Sequence, residues 1–507
     1  MTTLNTLINK SILIQTSYQP TPHLETEMEI IEKLLENGNK IFWIICEGDF
    51  KVCFQNPNHL KIDCKKCFSR VSNGFDLLKS RVFNHQNLNV IKYNQFLSKS
   101  DFNINFQSKN LVFKTFNELK AFHYKTYDSG LATASSLVSY TRNHEPIIEN
   151  HIDFIKNGLF TGAYLYETFQ LILNQIKPDF VILFNGRFIE NRPLLRVCQE
   201  KKIEYATHER GGKINSFLFQ INSIPHSIST ISKEMEQLWK DSNENKFEIG
   251  EKFYSNRIKR VEDAWYSFTK EQQLGRLPES FRQLEGKKVI TIFNSSLDEY
   301  EGLEGFGPFF YDNDNEGIKA ICESLKNDAT IKLYIRIHPN LKGIDNSQNR
   351  FLNEIANQYK TVEMISADDS VDTYALIKSS EIVIVFGSTV GVEAAFSGKN
   401  VVLLGKAAYM NLNCVTIPKN HLDLMTILTD SNYVFPKINH EDTLKYGYWN
   451  ESFGMNYKNY IPTSLNDGLY GGKKIELTWF QKKKFYFLAK YYRKKNKYFP
   501  SLNKIKS

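Results

Sequence analysis

Glycine and proline are scarce in this 507-residue sequence, with 26 and 14 residues. Their scarcity excludes collagen-like, proline-rich and Gly/Ser-linker architectures. The seven cysteines are too few and too unevenly spread for a secreted disulfide scaffold, so we expect reduced thiols. No uncharged apolar run reaches the roughly 18 residues of a membrane-spanning helix, and the first thirty residues do not form a signal peptide. We therefore expect an unprocessed cytoplasmic protein.

Apolar residues are abundant, at 41% of the sequence, and 13% of all residues are aromatic. This composition supplies enough material for buried cores and excludes disorder for most of the chain. A single hydrophobic core rarely grows beyond roughly 250 residues, so a chain of 507 residues should contain two or three domains.

The positive charge is concentrated at the end of the sequence. Residues 473–507 contain twelve Lys and Arg and one Glu, a net charge of +11, although the whole chain carries only +8. The other 472 residues therefore carry −3 in total. Since the body has no positive excess, nothing in its charge predicts a nucleic-acid partner.

The basic tail also has an apolar face. Phe480, Phe487, Leu488 and Tyr491 fall on one side of a predicted helix, and Lys and Arg occupy the rest of it. This pattern is typical of a helix that lies on anionic lipid and predicts a peripheral protein at the inner face of the cell membrane. The alternative is that the apolar face packs back on the first domain.

Continuous apolar runs bounded by polar residues indicate buried parallel strands. In the first half we predict strands at 40–46, 178–186 and 203–207, with helices at about 160–176 and 189–201. Strand, helix and strand at this spacing form a βαβ unit, which favours an α/β domain.

The strand and helix alternation stops and then restarts. Residues 228–284 are charged and helical in character and are interpreted as a connector. Strands are then predicted at 288–293, 331–337, 381–386 and 400–404, with helices at about 315–327, 371–379 and 391–397. We therefore predict two Rossmann-like domains facing a cleft, at 1–280 with the connector and at 285–435, and an extension at 436–507.

Ligands of open α/β sheets bind at the carboxyl ends of the strands. The segment 386–395 follows a strand there and opens a helix, whose free N–H groups would favour a phosphate. Ser388 and Thr389 can donate hydroxyl hydrogen bonds, Gly387 and Gly391 permit close backbone approach, and Glu393 can accept from ribose hydroxyls. The alternative is that Ser388 only caps the helix.

Two further turns follow strands of the second half. Arg336 and His338 belong to an Arg-x-His-Pro turn, whose proline would hold the imidazole at the strand end, where it can bind a phosphate or a base. Ser295 and Ser296 form a second candidate phosphate or acceptor contact, with Asp298 or Glu299 as a polar anchor. The alternatives are a structural histidine and a serine-rich turn with an aspartate cap.

Candidate acid–base residues follow the strands of the first half. Asn185 and Arg187 come after one strand and are taken as substrate-binding residues. The loop 208–212 comes after the next strand, and in it Glu209 is the first choice for a general base and His208 the second. A buried Glu–Arg ion pair that holds the loop is the alternative.

Four cysteines are clustered in the first half, at Cys46, Cys53, Cys64 and Cys67. The last two have the spacing of a zinc knuckle pair, but the first two are too far apart for a standard zinc ribbon. A structural zinc is therefore one interpretation, and free buried thiols are the other.

The motifs of the second half resemble those of a known family. The ordered pattern of 336–339, Gly387-Ser-Thr-x-Gly-x-Glu-Ala394, Gly398-Lys-x-Val-Val402 and Gly405-x3-Tyr409 is similar to the bacterial capsule polysaccharide biosynthesis glycosyltransferases, which include transferases of 3-deoxy-manno-octulosonate (Kdo). The resemblance covers about 285–412. The Glu209-Arg-Gly-Gly212 loop resembles the Glu-x-Gly loop of their first domain, without the Arg-Pro that often follows it, and the clustered cysteines look like those of related transferases.

The resemblance implies the GT-B fold, with the donor nucleotide bound mainly by the second domain and the acceptor by the first. It also implies metal-independent transfer of a sugar from CMP-Kdo or a UDP-sugar to a surface glycan or lipid-linked precursor. A histidine and the hydroxyl turn would stabilise the departing phosphate in place of a divalent cation. The alternatives are a UDP-N-acetylglucosamine 2-epimerase type of enzyme, a polyol-phosphate transferase and a non-catalytic scaffold of capsule assembly.

Overall fold

The computed structural model describes residues 3–83, 85–105, 111–242, 245–262, 267–284, 286–359 and 361–498. The chain divides into two compact units. Unit 1 comprises Met1–Tyr140, Ile147–Pro225 and Gly454–Ser507, and unit 2 comprises Thr141–Pro146 and His226–Phe453.

Unit 1 is an α/β unit. Its strands are β1 (Ser11–Thr16), β2 (Lys40–Ile45), β3 (Leu88–Lys92), β4 (Phe180–Phe184), β5 (Tyr205–Arg210), β6 (Ser216–Ile221), β12 (Met455–Asn456), β13 (Tyr460–Ser464) and β14 (Asp467–Tyr470). Its helices are α1 (His23–Glu36), α2 (Lys61–Arg81), α3 (Lys99–Asn105), α4 (Phe116–Lys120), α5 (Ser129–Thr141), α6 (Ile152–Ile176), α7 (Arg192–Lys201) and α16 (Trp479–Tyr498).

The main sheet of unit 1 has seven strands in the order β12-β6-β5-β4-β1-β2-β3. Strands β1 to β5 are parallel to one another, and β6 and β12 are antiparallel additions at one edge. The central strands have almost entirely apolar, buried sequences, because helices cover both faces of the sheet. The order of strands reverses between β1 and β4, which is the point where ligands of open α/β sheets bind.

Unit 2 is a second α/β unit. Its strands are β7 (Lys288–Phe293), β8 (Ile331–Arg336), β9 (Val362–Ile365), β10 (Ile382–Val385) and β11 (Asn400–Leu403). Its helices are α8 (Ile228–Asp241), α9 (Lys246–Ile258), α10 (Asp314–Leu325), α11 (Ser347–Gln358), α12 (Thr373–Ser379), α13 (Val390–Phe396), α14 (His421–Thr429) and α15 (His440–Ser452).

The sheet of unit 2 is entirely parallel, in the order β11-β10-β7-β8-β9. Phe293 of β7 pairs with Arg336 of β8 on one side and with Val385 of β10 on the other, so these three strands end in one row. The order of strands reverses between β7 and β10. The turns that begin at Asn294 and Phe386 therefore flank the point where a ligand is expected.

The fold class predicted from the sequence is confirmed. Both units have a parallel Rossmann-like sheet, and in each the five parallel strands follow the same order relative to the chain. Every predicted strand of the second half corresponds to a strand of unit 2, with ends that differ by at most one residue. The strands that were not predicted from the sequence are β1, β3, β6, β9, β12, β13 and β14.

The structure divides the chain differently from the prediction, which placed residues 228–284 with the first domain. The helices of that connector belong to unit 2 instead. Gly250 of α9 and Gly447 of α15 bring these two helices into close contact, because a Cβ on Gly447 would lie 2.3 Å from the carbonyl oxygen of Gly250. Tyr254 stacks on Phe396 at 3.9 Å between ring centroids. Burial of these apolar faces attaches α9 to unit 2.

The extension predicted at 436–507 is also divided between the units. Helix α15 packs in unit 2, whereas the chain from Gly454 onwards belongs to unit 1. There β12 pairs with β6, and the carboxylate of Glu29 accepts hydrogen bonds from the backbone N–H groups of Lys458, Asn459 and Tyr460. Backbone pairing and these hydrogen bonds return the chain to the first sheet.

The basic tail contains α16, which is held on α2. Phe485 is buried, and the side chain of Asn73 donates to the Gln481 side chain at 3.0 Å and to the carbonyl oxygen of Glu476 at 2.7 Å. Phe480 and Phe487 are exposed, while Leu488 is half-buried. The side chain of Tyr491 and residues 499–507 lie outside the described part of the structure. Among the residues described, no helix has both the length and the apolar character needed to cross a membrane.

Candidate functional site

A cavity of about 540 Å³ lies at the carboxyl edge of the unit 2 sheet, and all of its lining residues belong to unit 2. Nine of the predicted donor-binding residues line it. These are Ser295, Ser296, Glu299, Arg336, His338, Gly387, Ser388, Thr389 and Glu393. Residues that are far apart in the sequence meet here because β7, β8 and β10 end in one row. The cavity therefore occupies the switch point of the sheet.

The imidazole of His338 is fixed in one orientation. Its Nδ1 accepts a hydrogen bond from the backbone N–H of Asn340 at 3.2 Å, so in the neutral ring the proton is on Nε2. The backbone N–H of His338 donates to Asn294 Oδ1 at 2.7 Å, which holds the turn from the neighbouring strand. His338 therefore offers an Nε2–H donor to a ligand in the cavity.

His338 is neutral at physiological pH. Burial lowers the pKa of His338 to about 4; the charge of Asp298 opposes this shift, and the charges of Arg142 and Arg336 add to it. A neutral imidazole is a hydrogen-bond donor that does not change its charge across the ordinary working range of pH. This donor role was predicted from the sequence, but the contribution of Asn294 was not.

The turn formed by Gly387, Ser388 and Thr389, which we call the glycine–hydroxyl turn, lines the same cavity as His338. Gly387 has φ +126°, and a Cβ there would lie 3.0 Å from the carbonyl oxygen of Lys406, so only glycine fits without strain. The Ser388 hydroxyl accepts from the backbone N–H of Val390 at 3.3 Å and keeps its own proton for a ligand. The Thr389 side chain makes no capping bond to α13. Both hydroxyls are available to donate into the cavity.

Gly391 has a different role from the one predicted. It does not line the cavity, and a Cβ at this position would lie 2.4 Å from the Tyr409 hydroxyl and 2.8 Å from a methyl group of Val385. The glycine is therefore needed for packing of α13 against the sheet and against Tyr409. The Tyr409 hydroxyl in turn donates to the carbonyl oxygen of Ser388 and so supports the turn.

Acidic and amide side chains complete the cavity wall. Glu393 accepts a hydrogen bond from the Tyr374 hydroxyl at 2.7 Å, and this contact leaves its other carboxylate oxygen for a ligand hydroxyl. Glu299 accepts from the side-chain amide of Asn340. The Ser296 hydroxyl donates to Asp298 at 2.5 Å, so it is already engaged within the turn. Tyr374 could not be identified from the sequence, because nothing near it in the chain forms a motif.

Hydrogen bonds within unit 2 fix the guanidinium of Arg336. It is buried, and its guanidinium donates to the backbone carbonyl oxygens of Ser366 and Asp369. Its Nε has no hydrogen-bond partner, although the residue lines the cavity. Arg336 therefore both fixes the end of β8 and presents one N–H group that remains unsatisfied.

His208, predicted as a second choice for the general base, is completely buried in unit 1. Its Nε2 lies 3.1 Å from Glu27 Oε1, and both side chains have no exposed surface. A group without access to solvent cannot contact a substrate. The structure therefore corrects this prediction: His208 supports the loop from within the core rather than taking part in chemistry.

Glu209 lies at the end of β5 with its side chain 14% exposed. Asn185, which was predicted as a substrate-binding residue, donates from its side-chain amide to Glu209 Oε2 at 2.8 Å. The backbone N–H of Arg210 donates to Glu209 Oε1 at 3.0 Å. His23, which was not singled out in the sequence, has its Nε2 3.7 Å from the same oxygen. Glu209 is thus an oriented carboxylate with some access to solvent.

Arg187, which was predicted as a substrate-binding residue, makes its contacts with α5 of unit 1. It is buried, and its guanidinium donates to the hydroxyls of Ser135 and Ser139 on α5, at 2.9 Å each. Its guanidinium also lies over the Phe188 ring at 4.8 Å from the centroid. These contacts connect the loop after β4 to α5, which is a structural role.

The four clustered cysteines are free thiols that lie close enough to interact electrostatically. Burial raises the pKa of Cys46 to about 12 and that of Cys67 to about 11, so both are protonated thiols at neutral pH. Within the described ranges, no group of three or more potential ligand side chains is arranged to hold a metal ion. The arrangement gives no support to a structural zinc, which stays a prediction.

The sequence of the site region matches a family. Residues 307–422 match the family described as "Capsule polysaccharide biosynthesis protein". This segment is therefore similar to proteins of capsule polysaccharide biosynthesis. It contains His338, Ser388 and Glu393, and the match confirms the resemblance inferred from the motifs. No curated protein sequence matches the chain.

Solved structures with partial similarity include two transferases from Thermosulfurimonas dismutans KpsC. The β-Kdo 2,4 transferase is 12% identical, with a TM-score of 0.33, and the alignment covers 52% of this chain and 78% of that chain. The β-Kdo 2,7 transferase is 13% identical, with a TM-score of 0.32 and coverage of 56% and 80%. A UDP-GlcNAc 2-epimerase from Neisseria meningitidis bound to UDP-GlcNAc is 12% identical, with a TM-score of 0.24 and coverage of 87% and 96%. Similarity at this level does not identify a substrate.

Proposed function

We propose that this protein is a glycosyltransferase that moves a sugar from a nucleotide donor to a capsule or surface glycan precursor. The observation that carries the proposal is the cavity at the switch point of unit 2. Within one cavity it combines the fixed Nε2–H of His338 with the hydroxyls of Ser388 and Thr389, and it lies in the segment that matches the capsule family.

The cavity provides groups for each part of a nucleotide donor. His338, Ser388 and Thr389 donate hydrogen bonds to the phosphate oxygens, on which negative charge increases as the bond to the sugar breaks. Ser295 provides a further hydroxyl to the same group. Glu393, which is oriented by Tyr374, accepts from a ribose hydroxyl. Donors fixed before the reaction stabilise the leaving group without a cost of reorganisation.

In the proposed step an acceptor hydroxyl oxygen attacks the anomeric carbon, and the bond between this carbon and the phosphate oxygen breaks. The electron pair of the broken bond remains on the phosphate. The hydroxyl proton passes to the carboxylate of Glu209 if the reaction inverts the anomeric configuration. If the configuration is retained, Glu209 has no role as a base and the hydroxyl proton passes to the departing phosphate oxygen. The nucleotide is the leaving group in both cases.

We propose CMP-Kdo or a UDP-sugar as the donor and a glycan or lipid-linked precursor as the acceptor. Fixed N–H and O–H donors supply the stabilisation that a divalent cation supplies in other transferases, so we propose a reaction without a metal cofactor. Support for the class of acceptor comes from the match of residues 307–422 to the capsule family.

Release of nucleotide from the donor should depend on an added acceptor and should continue in excess EDTA. The experiment is to incubate the purified full chain with CMP-Kdo or a UDP-sugar, with and without glycan acceptor, and to quantify free nucleotide and glycosylated product. The EDTA arm tests independence of metal, and a heat-inactivated sample corrects for spontaneous hydrolysis of the donor.

Other outcomes identify the alternative functions. Conversion of a UDP-sugar to its epimer without acceptor would show that the protein is a 2-epimerase type of enzyme and not a transferase. Transfer of a polyol phosphate from a CDP-linked donor would favour the polymerase type. Binding of nucleotide without any turnover, across all donors and acceptors, would favour a scaffold. Each of these results contradicts the proposed function.

A further inference from the structure

Two cations besides Arg336 line the cavity of unit 2 without an ion pair. Arg257 comes from the last turn of α9, and Lys406 follows β11. Of the residues that the structure describes, no carboxylate forms an ion pair with either side chain. Lys406 occupies an unspecified position of the Gly405-x3-Tyr409 motif, and Arg257 lies in the segment interpreted as a connector.

Arg257 is held at one side of the cavity by aromatic contacts. Its guanidinium lies over the ring of Phe253, one turn earlier in α9, at 5.2 Å from the centroid. It is also close enough to Tyr374 for its charge to act on that hydroxyl. Since Tyr374 is bonded to Glu393, Arg257 lies at the side of the cavity assigned to the ribose and the adjoining phosphate.

Lys406 is attached to the glycine–hydroxyl turn. Its backbone N–H donates to the carbonyl oxygen of Gly307 at 3.0 Å, and its carbonyl oxygen packs against Gly387. The backbone at Lys406 is therefore fixed beside the turn that carries Ser388 and Thr389, and the residue lines the same cavity. From this position its ammonium group can reach an anionic ligand that is bound by the two hydroxyl donors.

Cations that are partly removed from water without a counter-charge cost free energy, which an anionic ligand recovers. Glu393 and Glu299 also line the cavity, and their hydrogen bonds to Tyr374 and Asn340 orient these carboxylates without removing their charge. With Arg336, the cavity is lined by three cations and two carboxylates, which leaves a net positive charge for an anionic ligand in addition to the neutral donors.

We propose that Arg257 and Lys406 bind two negative charges of the sugar donor, so that the donor is a dianion within the cavity. This inference rests on the proposed function and specifies its substrate class. Two donor chemistries satisfy it: a diphosphate between nucleoside and sugar, or a single phosphate together with a carboxylate on the sugar. In both donor chemistries, one negative charge of the donor lies beside the Ser388 hydroxyl and the other lies beside Arg257.

The test is calorimetric titration of the full chain with UDP, UMP, CDP and CMP, for wild type and for the variants Arg257→Gln and Lys406→Gln. Each variant should weaken binding of a ligand that carries both charges about 10-fold or more, because it removes one charged hydrogen bond. Lys378→Gln and Arg282→Gln remove exposed charges of unit 2 outside the cavity and should bind like wild type.

The pattern across nucleotides separates the two donor chemistries. Tighter binding of UDP and CDP than of UMP and CMP, lost in both variants, identifies a diphosphate donor. Equal binding of CDP and CMP identifies a donor with one phosphate and a carboxylate. In that case only one of the two variants weakens binding of CMP, and both weaken binding of a stable CMP-linked acidic sugar analogue. Wild-type affinity of both variants for every ligand overturns the inference. Absence of nucleotide binding by the wild type overturns the proposed function itself.

A separate surface is formed by the outer side of α16. Four large aromatic side chains are exposed there: Trp479 by 63%, Phe480 by 78%, Tyr486 by 64% and Phe487 by 56%. Exposed Lys483, Lys484 and Lys490 lie among them, and the Lys483 ammonium is 4.6 Å from the centroid of the Trp479 ring. We name these seven residues the α16 surface.

The inner side of the same helix is already occupied, since Phe485 is buried and Gln481 is bonded to Asn73. The aromatic residues of the α16 surface therefore have no place in the core of unit 1. Aromatic rings together with lysines match the boundary of an anionic bilayer, where the rings enter the headgroup region and the ammonium groups pair with phosphates. The net charge of +11 over residues 473–507 complements such a membrane.

We propose that the α16 surface binds anionic lipid and places the transferase at the membrane. The full chain should sediment with vesicles of phosphatidylglycerol and phosphatidylcholine and be released by salt. The double variants Phe480→Ser/Phe487→Ser and Lys483→Gln/Lys484→Gln should each lower the partition coefficient about 10-fold or more. The double variant Lys378→Gln/Arg282→Gln changes the net charge equally and should sediment like wild type.

Three results would overturn the lipid proposal. One is equal binding to pure phosphatidylcholine and to anionic vesicles, because the lysines would then contribute nothing. Another is wild-type partitioning of both α16 double variants. The third is tight binding of a single-stranded oligonucleotide without binding of vesicles, which would assign the basic tail to nucleic acid.

Discussion

Replacing His338 by alanine should lower kcat/KM for the donor by about 10²-fold or more. One preorganised donor to developing charge is typically worth this much in other enzymes. In this protein the Nε2–H is fixed in one orientation, because the backbone N–H of Asn340 donates to Nδ1 of the same ring. The measurement is initial-rate kinetics of nucleotide release with saturating acceptor.

His338→Gln is the matched variant, because its side-chain amide can place an N–H near the position of Nε2. It should recover a substantial part of the rate that the alanine variant loses. Equal loss in the glutamine and alanine variants would indicate that His338 supports the turn instead of donating to the substrate. Wild-type kinetics in the alanine variant would remove His338 from the site.

The pH profile tests the protonation state of the same residue. Burial lowers the pKa of His338 to about 4, so the ring is already neutral through the range from pH 8 to about pH 5. His338 should therefore produce no decrease in kcat/KM across this range. A decrease centred near pH 6.5 that is present in wild type and absent in His338→Gln would show that the ring titrates at its ordinary value.

Replacing Glu209 by glutamine should lower acceptor-dependent turnover by about 10²- to 10⁴-fold if the reaction inverts configuration, because general-base catalysis typically contributes that much. Glutamine keeps the size of the side chain and an oxygen that can accept from Asn185. Binding of donor nucleotide to unit 2 should not change. The measurements are product formation at saturating donor and acceptor, and calorimetric affinity for the nucleotide.

Asn185→Ala is the companion variant, since the amide of Asn185 orients Glu209 without being a candidate for proton transfer. It should reduce turnover much less than Glu209→Gln. Full activity of Glu209→Gln, with a product that inverts the anomeric configuration, would contradict the base assignment. Full activity with a retained configuration would agree with the proposed function and would assign no role to Glu209 as a base.

Much of the fold follows from local sequence. Strands such as β7 and β10 are short apolar runs bounded by polar residues, because helices cover both faces of a parallel sheet. The central strand β1 was missed: Ile12-Leu-Ile14 is a weak signal by itself and becomes a strand through pairing with β2 and β4. Formation of β1 therefore depends on strands that are distant from it in the sequence.

The division into units could not be predicted from local pattern. Helices α8 and α9 follow the first sheet in the chain and look like a connector, yet the close approach of Gly250 and Gly447 attaches α9 to α15. The return of the chain from Gly454 to the first sheet depends on hydrogen bonds to Glu29, which lies over 400 residues earlier. Contacts between residues that are so far apart in the sequence leave no periodic pattern of apolar residues.

The site was predictable where residues directly follow strands. His338 and Ser388 line one cavity, as the positions of β8 and β10 required. The sequence predicted His208 just after a strand, but it lies within β5. Alternation along β5 points its side chain to the buried Glu27, whereas its neighbour Glu209 has access to solvent. Position at the end of a strand therefore does not by itself establish access to a ligand.

The sequence by itself determined the α/β class, four of the five strands of unit 2 and the turns that carry His338, Ser388 and Thr389, because these depend on short-range patterns of apolar, glycine and hydroxyl residues. Only the tertiary structure decided which residues lie together. It brought Arg257 and Lys406 into the cavity of unit 2 and buried His208 and Arg187 within unit 1, since burial and hydrogen bonding are set by neighbours from other parts of the chain.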